Sequence, residues 1–379
     1  MAIMKNEINL KEKKIKILHI ISSINLYGGT PRKVLWLARE SKYTHLIFFS
    51  GNKESELNYS SNLQAIIDSN IRFIEPFHKR NLIKQLAFLT KFIKKEKIQV
   101  IQCNFNYDYV LGAFVKIMNP KLKFITTFVG AVSPRNKLSN LILEQFLRLS
   151  DYHVYISNYV KKSKQVIYKS LSKKKSKIIY NGAFPLTKVQ RDRESPKENI
   201  VLTTISGLNN YKNLFVLLEA MFILTKNCKK KIILNIIGDG PLKKDLQEKI
   251  DSLKLNEIAI IHGYINDINH FLSNTDIYVH PADKEGFGIA VIEAMSVKLP
   301  VILSNAGALP ELIIDKQSGL LAEPHNPHDW VDKVKYLVNN NAERERLAHN
   351  GMVRVKEYFT LSKYVKSYDD LYEDKIINS

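Results

Sequence analysis

Two textures alternate along this chain. Short runs of β-branched, aliphatic and aromatic residues (HLIFFS, IRFI, VIQCN, KFITTF, HVYIS, KIIYNG, then NIVLTTIS, KIILNIIG, IAIIHG, DIYVHP and the run from Pro300 to Ser304) read as buried strands. Longer amphipathic stretches between them read as helices. Ile15 to Ile21 would be the first strand, followed by a glycine turn and a helix with Thr30 at its cap and Pro31 in its first turn. Strands that alternate with helices predict parallel sheets covered on both faces. The polar, charged, proline-containing segment AFPLTKVQRDRESPKE interrupts the pattern and predicts a linker between two such units. The expected organisation is a first domain over 1–185, a second over 186–360 and a final helix over 361–379 that crosses back onto the first.

The richest stretch runs from Asp276 to Glu323. Its strand DIYVHP leads through a polar loop into a helix beginning near Phe287, with Glu285 on the loop and Glu293 in the second helical turn. Gly286 and Gly288 leave the N–H groups around Phe287, Gly288 and Ile289 facing whatever lies ahead, and a helix start of that kind receives anions. Carboxylates accept hydrogen bonds from hydroxyls, so amides for a phosphate beside carboxylates for hydroxyls suggest a sugar nucleotide. Pro300 to Ser304 with the loop NAGALP and a short helix holding Pro310 and Glu311 repeats the unit, which puts two loops at one sheet edge.

The run EGFGIAVIEAM, then LPVILSNAGALPELI, then SGLLAEP, resembles the donor-site signature of retaining glycosyltransferases of the GT-B fold, the large family four of those enzymes. The resemblance implies an α/β fold of two Rossmann-like, doubly wound parallel-sheet domains facing across a cleft. It implies a nucleoside diphosphate sugar as donor, UDP-sugar before GDP-mannose, with the acceptor a hydroxyl of a lipid-linked or surface-polysaccharide oligosaccharide. No cofactor or metal is implied beyond the donor. By the same resemblance Glu285 contacts the transferred sugar at its reacting face, and Glu293 holds the ribose hydroxyls. Lys212 and the Gly28–Gly29 corner bind the diphosphate with the amides of Phe287, Gly288 and Ile289, and Gly238 of GDGP lies near the nucleoside. Retention would proceed by front-side attack, the departing phosphate helping to take the acceptor proton. Two family features are absent: the arginine usual five or six residues before Lys212 is replaced by Ser206 and Gly207, and the histidine usual after the fifth strand by Phe128 and Val129. Arg32 and Arg135 are candidate substitutes. The competing reading is a non-catalytic GT-B protein that binds a nucleotide sugar or partners an active transferase; an epimerase or phosphorylase of the same architecture is a third.

Composition adds three constraints. With 45% apolar and 25% charged residues the chain is an ordinary globular one, and its two cysteines provide neither a disulfide framework nor zinc-ligand spacing. His262 and His280 read as packed residues. The net charge of +20 is lopsided: residues 1–185 hold 32 Lys/Arg against 11 Asp/Glu, and 186–379 hold 25 against 26. Such a field predicts an anionic partner for the first half, with a bilayer surface or lipid-linked pyrophosphate ahead of nucleic acid, for which no module is present. The basic helix 81–97 and the eight lysines of 161–177 are the candidate membrane contacts, set against the plainer reading of solvated lysine faces on a packed core. No run is long and apolar enough for a membrane span, and the segment before ILHII does not fit a secretory leader, which predicts a cytoplasmic protein, either soluble or peripheral on the inner face of the cell membrane.

Overall fold

The computed structural model describes residues 15–25, 29–55, 59–69, 71–75, 77, 79–130, 136–183, 199–228, 230–265 and 267–376. Gly28, Arg135 and the linker at 184–198 lie outside them.

Among the described residues, the first half builds a seven-stranded sheet from β1 (Lys16–Ile21), β2 (Thr44–Phe49), β3 (Arg72–Ile74), β4 (Val100–Cys103), β5 (Lys123–Phe128), β6 (Tyr152–Tyr155) and β7 (Ser176–Ile178). The strands are all parallel, in the order β3-β2-β1-β4-β5-β6-β7. The helices α1 (Gly29–Glu40), α2 (Tyr59–Ile67), α3 (Leu82–Glu96), α4 (Asn106–Met118), α5 (Lys137–Leu147) and α6 (Asn158–Ile167) make the crossovers. The second half repeats the plan with β8 (Asn199–Ile205), β9 (Lys231–Ile237), β10 (Ala259–Gly263), β11 (Ile277–His280), β12 (Val301–Ser304) and β13 (Leu320–Ala322), parallel in the order β10-β9-β8-β11-β12-β13. Its helices are α7 (Leu214–Asn227), α8 (Lys243–Ser252), α9 (Asn269–Ser273), α10 (Ile289–Ser296), α11 (Leu309–Leu312), α12 (Pro327–Asn339) and α13 (Asn341–Tyr358).

Both sheets reverse direction beside their first strand, between β1 and β4 and between β8 and β11. Ligands of open parallel sheets bind at the carboxyl ends of the strands beside such a reversal. The strands are near-continuous apolar runs because both faces are covered: β4 and β12 are buried at every position.

A last helix, α14 (Leu361–Ile376), packs Tyr364, Val365, Tyr368, Leu371 and Tyr372 into one cluster with Ile17, Val100 and Ile125 of the first sheet. Polar anchors fix its register: the Tyr372 hydroxyl donates to Gln102 Oε1 at 2.5 Å, and Asp369 accepts from the Ser41 hydroxyl at 2.5 Å and from the Lys42 N–H at 3.2 Å. Closer to the cleft, Phe287 sits between Tyr180 and Phe359, with ring centroids 5.9 and 5.7 Å away, so one aromatic cluster spans both domains.

The 81–97 segment is helical as its periodicity predicts. Asn81 caps it by accepting the Lys84 N–H at 2.9 Å, and Lys97 closes it in the left-handed region. Leu89, Phe92 and Ile93 are buried and Leu82 and Leu86 half-buried in the core of the first domain, so its apolar stripe is already covered and the plainer reading holds there.

Candidate active site

At the reversal of the second sheet, β8 and β11 each end in a loop that delivers a charged side chain. After β8 the chain runs through Ser206 to a turn at Asn210–Lys212, closed by Asn213 at φ 51°. β11 ends on His280, and the loop after it reaches Glu285. Lys212 Nζ and Glu285 Oε2 form a short ion pair, and His280 Nε2 lies 2.9 Å from the same oxygen. His280 is buried, and desolvation lowers its pKa despite the pull of Glu285. It is therefore neutral, donating its Nε2–H to the carboxylate, with the Tyr278 hydroxyl 3.4 Å from Nδ1. Burial alone would raise the Glu285 pKa; Lys212 and His280 outweigh it and hold the carboxyl far below its usual range. Glu285 is an ionised, oriented carboxylate.

The backbone behind it is fixed as firmly. Gly307 has φ 60°, and a Cβ there would lie 2.7 Å from the Glu285 backbone nitrogen and oxygen; Ala308 N–H donates to the Glu285 carbonyl at 2.9 Å. The NAGALP loop is thus a backing plate for Glu285, and only glycine permits its closest approach.

Gly288, at φ 100°, turns the chain into α10. The helix starts at Ile289 rather than Phe287. Among the described residues the N–H groups of Phe287, Gly288 and Ile289 meet no acceptor. The Phe287 side chain is packed away in the aromatic cluster, so only its amide is available to the site. Glu293, four residues into α10, is almost completely buried, and desolvation raises its pKa while Arg32 draws it back.

Arg32 comes from the other domain. Its guanidinium forms a short ion pair with Glu293 Oε1 across the cleft. Beside it, α1 begins at Gly29, one residue before the predicted cap; a Cβ on Gly29 would come within 2.5 Å of Ile289 Cδ1. The starts of α1 and α10 therefore lie against each other, which brings two positive dipole ends close together. Lys33 completes this wall. It is 5% exposed, makes no hydrogen bond or ion pair among the described residues, and feels both Arg32 and Glu285. Burial, and then Arg32, lower its pKa to about 7 against a smaller upward pull from Glu285.

Further contacts hold the walls together. Ser157 Oγ donates to the Gly286 carbonyl at 2.8 Å, and Gly286 lies against Val129 and Gly130, where the family histidine would stand. Phe128 points into the core instead, stacked on Tyr155 with centroids 5.0 Å apart. Glu311 of α11 accepts from the Asn158 and Tyr159 N–H groups at 2.9 and 2.7 Å and from the Tyr180 hydroxyl at 3.0 Å, capping α6 from the opposite domain.

Gly238 occupies a different corner. At φ 142° its Cβ would overlap the Ser206 carbonyl oxygen, and its N–H donates to the Gly263 carbonyl at 2.8 Å. It lets the β8 and β9 loops touch, beside the buried and unpartnered hydroxyl of Ser206. His262 bonds Asn235 at 2.8 Å and packs on Phe271, remote from the ionised pair.

The structure therefore brings together Gly29, Lys212, Glu285, Gly288, Ile289 and Glu293. Sequence reading passed over three participants. His280 is buried beside the site, as its reading as a packed residue predicts, and it also orients Glu285, five residues on. Glu311 appeared only as a first-turn residue. Lys33 carried a usable signal: it lies four residues before buried Leu37, so it puts a lysine on the apolar stripe of α1.

Residues 187–354 match the family model of the group 1 glycosyl transferases. The second domain is thus similar to the group 1 glycosyl transferases over those residues. The whole chain has the GT-B fold, since solved glycosyltransferases superpose on both of its domains: one from Rickettsia africae at TM-score 0.79 and 21% identity, covering 97% of this chain and 100% of that one, and Anabaena HepE in complex with UDP and glucose at 0.77 and 18%, covering 95% and 100%. Among curated relatives, an uncharacterized glycosyltransferase of Methanocaldococcus jannaschii is 26% identical over 87% of this chain and 89% of its own length. The Escherichia coli UDP-Gal:alpha-D-GlcNAc-diphosphoundecaprenol alpha-1,3-galactosyltransferase is 25% identical over 86% and 91%. The matched region contains Lys212, Glu285 and Glu293, and their partners Gly29, Arg32 and Lys33 come from outside it.

Proposed function

We propose that this protein transfers a sugar from a nucleoside diphosphate sugar to a hydroxyl of a lipid-linked or surface-polysaccharide acceptor, with retention of anomeric configuration. The observation that carries the reading is the pairing, at one sheet reversal, of an ionised Glu285 held by Lys212 and His280 with a wall of helix starts and cations on the facing domain. The uracil base is favoured over guanine by the kinds of donor in the names of the E. coli relative and the Anabaena complex. A diphosphoundecaprenol acceptor in the first of these agrees with the basic first half of this chain.

The difficult charge in such a reaction develops on the leaving diphosphate. Lys212, the α10 amides and the α1 start with Arg32 and Lys33 are placed to receive it, the kind of preorganised electrostatics that dominates many active sites. Arg32 and Lys33 also supply, from the other side of the cleft, the positive charge missing at Ser206 and Gly207. The bond from the anomeric carbon to the phosphate oxygen breaks, the acceptor oxygen bonds to the same face, and its proton passes to the departing phosphate. Double displacement would need a free carboxylate nucleophile close to a second carboxyl group. The two nitrogen donors to Glu285, Lys212 Nζ and His280 Nε2, already engage one of its oxygens, and Glu293 is engaged with Arg32. Once Arg32 swings to phosphate, Glu293 is released for the ribose hydroxyls.

A thermal-shift screen against UDP, GDP, ADP and their sugars, followed by transfer assays, tests the reading. A nucleotide at about 100 times its Kd adds roughly 2.7 kcal/mol of stability. A shift by one base that vanishes in Lys212→Ala and Glu293→Ala, together with turnover, supports it. Binding without turnover establishes the non-catalytic partner instead, and no binding removes the donor assignment.

A further inference from the structure

Away from the cleft, α5 is apolar on two faces. Its inner face buries Leu143 and Leu147. Its outer face repeats the spacing: Leu138, Leu141 and Ile142 fall at helical intervals and are 66, 54 and 51% exposed, and Leu149, in the turn just past the helix, is 38% exposed. Val166 on neighbouring α6 is 78% exposed. One packed face accounts for one apolar stripe, so the second has no partner among the described residues.

The same helix borders a shallow cavity of about 1050 Å³ whose rim carries Lys137, Arg148, Lys169, Lys173 and Lys174. One carboxylate lines it, Glu144, and that group is occupied by the Ser170 N–H at 2.8 Å. Among the described residues Lys137, Lys169 and Lys173 have no carboxylate partner. Exposed aliphatic side chains bordered by lysines are what an interfacial helix presents to a bilayer, with apolar groups entering the acyl boundary and cations remaining at the phosphate level. A protein partner of matching chemistry would need an apolar strip inside an acidic ring; an anionic bilayer supplies both as a continuous surface.

We infer that the α5 face, with the basic rim of residues 169–174, docks this protein on an anionic membrane surface. The contact thus lies on a helix outside both segments that the lysine content of the sequence singled out, although the 169–174 lysines join it. The inference does not depend on the donor reading and is tested without turnover.

The experiment is co-sedimentation of the full chain with phosphatidylglycerol vesicles, against phosphatidylcholine vesicles and against soluble glycerophosphate as competitor. The expected result is pelleting with phosphatidylglycerol alone. Leu141→Gln/Ile142→Gln loses about tenfold or more in apparent affinity, from the burial lost by two aliphatic side chains. Lys169→Glu and Lys173→Glu each lose about fivefold or more, corresponding to about 1 kcal/mol per basic residue at the surface. Thermal transitions stay unchanged, because all four side chains are on the surface. Failure to pellet with phosphatidylglycerol, or pelleting untouched by the Leu141/Ile142 pair, overturns the inference. Full competition by glycerophosphate would reduce the site to a phosphate pocket. A wild-type dimer that the Leu141/Ile142 pair converts to monomer would assign the face to a second copy of the chain.

Discussion

Glu285 and Lys33 lie on opposite walls of one cleft, both buried, and the fold treats them in opposite ways. Glu285 has a cation on one side, a neutral imidazole on the other and a glycine loop behind it, so its charge is compensated before any ligand arrives. Lys33 has no hydrogen-bond partner among the described residues and another cation for a neighbour, so its charge is held where it is least stable. The second domain's wall is a finished electrostatic unit, while the first domain's wall is completed only by an anion. The largest test of that contrast is Lys212→Met. It strips the finished wall of its cation, and by the magnitude typical of a lost transition-state donor it should lower kcat about 10²–10³-fold. An equal loss in Lys33→Met would erase the distinction between the walls.

Lys33→Met should do something that no substitution on the other wall does: stabilise the empty protein while weakening the donor. Removing a buried polar group without a partner relieves about 1–3 kcal/mol. Its pH dependence has a definite sign. The folded pKa is about 7 against 10.5 for the free side chain, so between those values the unfolded chain binds more protons, and wild-type stability rises with pH relative to Lys33→Met. Donor phosphate would restore the proton. Donor affinity should therefore fall as pH rises above about 7 in the wild type and stay flat through this range in Lys33→Met. Denaturation and nucleotide titrations from pH 6 to pH 9, roughly the reach of that shift, check both statements.

Legibility in the sequence follows the same division between the walls. Glu285, Glu293 and Lys212 were readable because their loops join consecutive elements of one sheet, where strand, turn and helix signals lie within a few residues. The doubly wound fold was readable for the same reason, since strand runs and amphipathic helices alternate at regular spacing. Arg32 is 261 residues from Glu293 and Ser157 is 129 from Gly286. No local pattern encodes the angle at which two domains close, so Lys33 and Glu311 could be placed in their elements but not in their contacts. The proposed docking face was not legible for a related reason. Charge is visible in composition, whereas the exposed leucines of α5 look like core until the opposite face of the helix is seen to be filled. The expected linker, Gly28 and Arg135 lie outside the described residues.

A smaller effect separates stability of the first domain from function of the cleft. Tyr372→Phe removes the hydroxyl that reaches Gln102 from α14, and Gln102 in turn donates to Thr127 at 2.9 Å inside the first sheet. Unfolding free energy should drop by about 1 kcal/mol, the usual net worth of such a bond. Nucleotide affinity should not move. A loss of donor binding in this variant would mean that α14 governs the cleft as well as the sheet it covers.

The finest test concerns the one ion pair that joins the walls. Arg32 keeps 35% of its side chain in solvent while Glu293 keeps 3%, so screening discounts the pair heavily and its coupling in the empty protein should be about 0.5–1 kcal/mol. A double-mutant cycle of Arg32→Ala and Glu293→Ala measures that coupling directly. Repeating the cycle with saturating UDP is the informative step. If Arg32 moves to phosphate and Glu293 to ribose, each residue acquires a separate partner and the two substitutions become additive, with the coupling falling to zero. A coupling that persists or grows with UDP would mean that Arg32 and Glu293 stay joined in the loaded cleft. Lys33 would then be left as the sole unpaired cation on that wall, with Lys212 and the helix amides to share the phosphate charge.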